Sequence, residues 1–84
     1  MDKNSILIVD DDKEIVDLIA VYLKNEGYNV FKADDGEEAL QMISTNEVDL
    51  IILDIMMPKI DGFEVCKEVR EKNNVPIIML TAKA

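Results

Sequence analysis

Three apolar runs, each followed directly by an oxygen-bearing side chain, constrain the fold of this chain more than any other feature. The runs and the residues that follow them are residues 6–9 with Asp10, residues 50–53 with Asp54, and residues 77–80 with Thr81. Runs of this length without polar alternation are typical of strands buried on both faces of a parallel sheet. Because parallel strands end at the same edge of a sheet, where ligands bind in open α/β folds, we predict a candidate site at that edge.

Helical spacing of apolar residues occurs between these runs. Residues 13–25 carry such a pattern and are followed by Gly27, a typical helix-ending residue, so we predict a first helix there. The apolar residues of this pattern are Ile15, Leu18, Ile19, Tyr22 and Leu23. Asp35 followed by Glu38 is a capping-box pattern and predicts the start of a short second helix. A third helix is predicted over residues 62–72.

The order of the predicted elements indicates the fold class. Residues 29–33 form a short apolar segment with polar flanks, which predicts a strand at the edge of the sheet. Strands and helices alternate along the whole chain. This alternation predicts right-handed crossovers and a parallel sheet with helices on both faces. We predict an α/β, flavodoxin-like fold with strand order 2-1-3-4. Residues 1–84 are predicted to form one domain. In its third helix, the residues predicted to face the core are Phe63, Cys66 and Val69.

Charge and composition exclude several classes of protein. The 84 residues carry a net charge of −9 and a single arginine, which argues against a nucleic-acid surface because phosphate contacts need clustered Lys and Arg. A hydrophobic content of 49% excludes a disordered chain. The single cysteine cannot form an internal disulfide, and no apolar stretch has the length of a signal peptide or a membrane span. A cytoplasmic location is expected.

Asp10, Asp11 and Asp54 are predicted to lie within a few ångströms of one another, since the first and third strands are neighbours in the predicted order. Crowded carboxylates raise one another's pKa unless a cation neutralises them. The available ligands are all oxygens and the chain has no histidine, so Mg²⁺ is the predicted ion. Mg²⁺ usually keeps waters and phosphate oxygens among its ligands, which predicts phosphate chemistry.

Each of these residues also has a purely structural interpretation. Asp11 followed by Glu14 fits a capping box at the start of the first helix, and Asp12 is equally free to cap that helix. Asp54 fits a turn after a strand, and Thr81 fits the β-forming end of one. Their predicted convergence at one edge of the sheet favours the functional interpretation.

The motifs that carry these features resemble a known family. Residues 6–12, residues 53–58 with Asp61 and Gly62 after them, and residues 79–82 are similar to the receiver domain of two-component response regulators, in particular the subfamily with a winged-helix transcription domain. The resemblance covers the whole chain. It implies a module that is not an enzyme, accepts a phosphoryl group from a sensor histidine kinase, and controls an output domain through which a parent protein binds DNA.

The same resemblance implies a role for each matching residue. Asp54 matches the phosphoacceptor, Thr81 the hydroxyl that binds the phosphoryl group, and Ala82 the small residue beside it. The implied Mg²⁺ ligands are Asp10 (through a metal-bound water), Asp11, Asp54 and the backbone carbonyl of Met56. Phosphoryl transfer depends on in-line placement and charge neutralisation, which such a site provides.

The chain also departs from the family pattern. A complete receiver has a fourth helix, a fifth strand ending in a phosphate-binding lysine, and a fifth helix, and these are missing after Ala82. Neither Lys59 nor Lys83 matches that lysine, so we expect weak or absent phosphorylation of this chain alone. The strand from Pro76 to Leu80 would then be a bare apolar edge, through which two chains could pair or exchange strands.

Two alternative functions stay open at this point. One is an interaction module that keeps the fold but is not phosphorylated. The other is a phosphatase similar to the haloacid dehalogenases, since Asp10 and Asp12 follow a strand as their first motif does. Glu14 stands where that family has Thr or Val, which disfavours the phosphatase.

Overall fold

The fold alternates strands and helices as the sequence predicts. In a computed structural model of the chain, residues 4–54, 62–72 and 74–80 are described. The elements are β1 (Ser5–Val9), α1 (Lys13–Asn25), β2 (Asn29–Ala33), α2 (Gly36–Thr45), β3 (Leu50–Asp54), α3 (Gly62–Lys72) and β4 (Ile77–Leu80).

The four strands form one parallel sheet with the order β2-β1-β3-β4. This confirms the predicted flavodoxin-like fold, including the edge position of β2. Val9 of β1 pairs with Leu53 of β3, so Asp10 and Asp54 come next at the same level of the sheet. The sheet register therefore brings these two residues together.

Alternate residues of each strand face opposite sides of the sheet and form two apolar clusters. The larger cluster packs α2 and α3 on one face, and the smaller one packs α1 on the other. The larger contains Leu7, Val9, Ala33, Ala39, Ile51, Leu53, Val65, Val69 and Val75, and the smaller contains Ile6, Ile8, Val16 and Ala20. Because the central strands are covered on both faces, their sequences are continuously apolar.

Helix α1 has the predicted bounds, but its large apolar residues do not mark its buried side. Val16 and Ala20 are its buried residues, whereas Leu18 is 73% and Tyr22 66% exposed. The small Ala20 lets the helix lie close to the sheet. The apolar spacing therefore predicted the helix correctly and its packing face only in part, through the half-buried Ile19 and Leu23.

The end of α1 is fixed by backbone hydrogen bonds around Gly27. The N–H of Gly27 donates to the carbonyl of Lys24 at 3.0 Å, and the N–H of Tyr28 donates to the carbonyl of Leu23 at 3.1 Å. This pair of bonds is a Schellman motif, which needs a left-handed residue at its turn. Gly27 has φ of 96° and meets that need.

Helix α2 starts with the predicted capping pair. Oδ1 of Asp35 accepts from the N–H of Glu38 at 2.9 Å, and Oε1 of Glu38 accepts from the N–H of Asp34 at 2.6 Å. In the usual capping box the glutamate accepts from the N-cap residue itself. Here it reaches one residue further back, so the pair also fixes the end of the connection from β2.

One prediction for α3 is wrong. Phe63 is 63% exposed and does not face the core, whereas Val65 and Val69 are at most 2% exposed and Cys66 is half-buried. Two residues correspond to roughly 200° around a helix, so the stripe set by Val65 and Val69 turns Phe63 outward.

Candidate functional site

Three carboxylates lie together at the edge of the sheet where β1 and β3 end. Asp10 and Asp11 follow β1, and Asp54 is the last residue of β3. One carboxylate oxygen from each of the three lies within 4.8 Å of the others. The structure thus brings together the three acidic residues that the sequence predicted to converge.

The cluster is buried on one side and open on the other. Asp10 is 6% and Asp54 8% exposed, and they are the buried charged residues in the described part of the chain. Asp11 is exposed. A ligand from solvent can therefore reach the cluster past Asp11, while the other two carboxylates are largely shielded from water.

Burial raises the pKa of Asp10 above its ordinary value of 3.8. The negative charges of Asp54 and Asp11 and a hydrogen bond with Asp11 raise it further. The N–H of Asp12, which donates to Oδ1 of Asp10 at 2.9 Å, acts in the opposite direction because it stabilises the charged form. The net effect favours either a proton or a bound cation at Asp10.

Helix α1 begins at this site, and Asp12 is its N-cap. The side chain of Asp12 accepts from the N–H groups of Glu14 at 3.1 Å and Ile15 at 3.4 Å. The sequence left Asp11 and Asp12 open as caps. Since Asp12 takes this role, the carboxylate of Asp11 is not used for capping and stays in the acidic cluster.

The donor set fits a hard divalent cation. Carboxylate oxygens are the ligands that Mg²⁺ prefers, and opposite ligands of an octahedral Mg²⁺ lie roughly 4 Å apart. A spread of 4.8 Å or less needs only small side-chain rotations to reach that geometry. A cation would also offset the cost of burying two neighbouring carboxylates.

Several residues of the predicted site lie outside the described residues. These are Met56, Thr81 and Ala82, together with Lys59 and Lys83. Their predicted roles stay predictions.

The hydrogen bond between Asp10 and the N–H of Asp12 was not predicted from the sequence. An aspartate that accepts from the N–H two residues later forms an Asx turn, and such turns commonly precede helices. The Asp-x-Asp spacing directly before a helix was the signal that could have revealed it.

Comparison with known proteins decides the family. The model of the response regulator receiver domain matches residues 6–84. The chain belongs to the response regulator receiver domain family. This membership favours the receiver interpretation over the phosphatase alternative.

A curated relative of this receiver domain is the regulatory protein VanR of Enterococcus faecium. The two are 54% identical over 80 residues, which is 95% of this chain and 35% of VanR. The chain therefore spans about a third of that relative.

Solved receiver structures share the fold. TrrA of Thermotoga maritima, solved in complex with Mg²⁺-BeF, is 45% identical with a TM-score of 0.89, and the match covers 96% of this chain and 71% of TrrA. The chemotaxis protein CheY4 of Vibrio cholerae is 37% identical with a TM-score of 0.93 over 99% of this chain and 72% of CheY4. Among the described residues, the longest helix has 13 residues, and none has the length and apolar character of a membrane span.

Proposed function

We propose that this receiver domain accepts a phosphoryl group on Asp54, with Mg²⁺ held by Asp10, Asp11 and Asp54. The observation that carries the proposal is the carboxylate cluster, in which one oxygen of each residue lies within 4.8 Å of the others at the carboxyl edge of the sheet. The complex of the related TrrA with Mg²⁺-BeF supports the choice of ion.

The proposed step is the transfer of a phosphoryl group from a phosphohistidine. A carboxylate oxygen of Asp54 forms the new O–P bond while the N–P bond breaks, and the histidine nitrogen keeps the electron pair and takes up a proton. Asp10 and Asp11 would hold the cation, which would supply neutralisation of the charge on the phosphoryl oxygens. The family resemblance assigns a further ligand to the carbonyl of Met56.

Two residues after β4 complete the proposed site. Thr81 would bond a phosphoryl oxygen through its hydroxyl, and Ala82 would leave space for the phosphoryl group. Both roles rest on the family resemblance.

The phosphoryl donor and the output are part of the same proposal. Receiver domains typically interact with histidine kinases, so a sensor histidine kinase is the proposed donor and the cytoplasm the proposed location. VanR is a regulatory protein, which supports a transcriptional output through a separate DNA-binding domain of a parent protein. In this scheme the chain is a signalling module and not an enzyme.

Incubation with acetyl phosphate and Mg²⁺, followed by intact-mass measurement, tests the proposal. We expect a small fraction of the chains to gain one phosphoryl group, in line with the weak phosphorylation predicted from the sequence, and we expect this gain to be lost with EDTA and in Asp54→Asn. Asp17→Asn is the matched control, because Asp17 is an exposed carboxylate paired with Lys32 and should leave the gain unchanged. A folded wild-type chain that gains no mass would favour the alternative of an interaction module without phosphorylation.

We also propose that two chains can pair through β4. No described strand lies beyond it in the sheet, its residues are uncharged, and Ile78 is 50% exposed. The opposite edge strand, β2, carries Lys32, and charged residues protect sheet edges from pairing. Sedimentation over a range of concentrations should detect a dimer that Ile78→Lys removes and Leu18→Lys, on α1, does not. A wild-type chain that stays a folded monomer at the highest concentration would contradict the proposed pairing through β4.

A further inference from the structure

Asp12 makes hydrogen bonds in two directions and so joins α1 to the acidic cluster. Its side chain accepts from the N–H groups of Glu14 and Ile15 in the first turn of α1. Its backbone N–H points the other way and donates to Oδ1 of Asp10 at 2.9 Å. The helix cap and the orientation of a buried carboxylate are therefore set by one residue.

The backbone at Asp12 is held in a conformation outside the helix. Its φ of −91° and ψ of 102° are those of an N-cap, and the side-chain bonds to the first turn stabilise this conformation. Loss of those bonds would let residue 12 leave the N-cap conformation, and its N–H would no longer be directed at Asp10.

Asp10 needs such a restraint. It lies beside Asp11 and Asp54, and when all three carboxylates are charged their repulsion favours rotation of the Asp10 carboxylate away from the other two. The N–H of Asp12 engages one oxygen of Asp10 and so opposes that rotation. Partners that orient a metal ligand in this way typically change metal affinity roughly 10- to 100-fold when they are lost.

We propose that Asp12 is a positioning residue for the metal site, whose side-chain cap fixes the backbone N–H that holds the carboxylate of Asp10 toward Asp11 and Asp54. The proposal rests on the proposed function for its use of Mg²⁺. Asp12 itself is not one of the clustered carboxylates, so it acts through Asp10.

Three variants separate the cap from the charge of Asp12 and from general stability. Asp12→Ala removes the cap, whereas Asp12→Asn removes the charge and keeps the cap, because Asn and Asp are about equally good N-caps. Asp35→Ala is the matched control, since Asp35 caps α2 in the same way by accepting from the N–H of Glu38. If Asp12→Ala does not fold, Asp12→Gly replaces it, because Gly at an N-cap costs only a few tenths of a kcal/mol.

The first measurement is amide hydrogen exchange of residue 12 by NMR in metal-free protein. We expect at least tenfold faster exchange in Asp12→Ala, and protection close to wild type in Asp12→Asn and Asp35→Ala. Unchanged exchange in Asp12→Ala would overturn the proposed restraint.

The second measurement is the dissociation constant for Mg²⁺ by titration. We expect roughly tenfold weaker binding in Asp12→Ala, a change within about threefold in Asp12→Asn, and no change in Asp35→Ala. Equal weakening in Asp12→Ala and Asp12→Asn would assign the effect to charge, and equal weakening in Asp35→Ala would assign it to stability; either result overturns the proposal. A wild-type chain that binds no Mg²⁺ would refute the proposed function, and the amide exchange would still decide whether Asp12 positions Asp10.

Discussion

Asp10 and Asp54 end neighbouring strands at the same level of the sheet, because the residues before them, Val9 and Leu53, are paired. They are 6% and 8% exposed. Two carboxylates placed in this way destabilise the metal-free protein when both are charged. The same arrangement creates the affinity for a cation. A substitution in the cluster should therefore change both the stability of the metal-free protein and its binding of the cation.

Replacement of Asp10 by asparagine should stabilise the metal-free protein at neutral pH. Folding raises the pKa of Asp10 above 3.8, so its contribution to stability is fully present below pH 3.8 and is lost as the pH rises through the folded-state pKa. Urea unfolding in EDTA at pH 4 and pH 7 measures this. The unfolding free energy of Asp10→Asn relative to wild type should rise from pH 4 to pH 7, whereas that of Asp17→Asn should not. Lower stability of Asp10→Asn at pH 7 would contradict the prediction.

Mg²⁺ should stabilise the wild-type protein by about 1.4 kcal/mol at ten times its dissociation constant. Asp11→Asn should lose most of this gain, although Asp11 is exposed and its replacement should cost little stability without metal. Thermal unfolding with and without Mg²⁺ measures both effects. Asp17→Asn carries the same charge change away from the cluster and should keep the gain. An equal gain in Asp11→Asn would exclude Asp11 as a ligand.

Leu7 and Leu18 form a matched pair for the core. Leu7 is 0% exposed in the larger apolar cluster, and Leu18 is 73% exposed on α1. Leu7→Ala should cost about 2–5 kcal/mol of unfolding free energy, because it leaves a cavity. Leu18→Ala should stay within about 0.5 kcal/mol of wild type. Urea titration measures both, and similar costs would mean that Leu18 is buried in solution.

Gly27 should resist replacement for a reason of backbone conformation. It has φ of 96°, and a Cβ built there meets no atom within 4 Å. A steric clash therefore adds nothing to the cost of replacing this glycine. Gly27→Ala should cost about 1–2 kcal/mol through the left-handed backbone alone. Gly27→Asn should cost less, because asparagine tolerates this region better. Thermal unfolding compares them, and a larger loss for asparagine would point to steric contacts.

The sequence predicted the features that depend on neighbouring residues or on a repeating pattern. The apolar runs predicted the strands, Gly27 predicted the end of α1, and the pair of Asp35 and Glu38 predicted the start of α2. The convergence of Asp10 with Asp54 followed from the strand order, which right-handed crossovers restrict to few solutions.

Other features depend on packing between distant segments and could not be predicted from local patterns. Phe63 was assigned to the core together with Cys66 and Val69 because the three lie at helical spacing, but the stripe that packs in the larger apolar cluster contains Val65 and Val69 and turns Phe63 outward. Asp12 and not Asp11 is the cap because α1 starts at Lys13, and the N-cap residue directly precedes the helix. Sequence spacing alone allows both caps.

The pairing of Val9 with Leu53 has a consequence for how this protein can change. A shift of β3 by one residue would exchange its two faces, since side chains alternate along a strand. Ile51 and Leu53 would move from the larger apolar cluster to the face that α1 covers, and the Asp54 carboxylate would point to the opposite side of the sheet. The pairing of β1 with β3 thus determines both the packing of the core and the position of the Asp54 carboxylate. An insertion or deletion within β3 would abolish both at once.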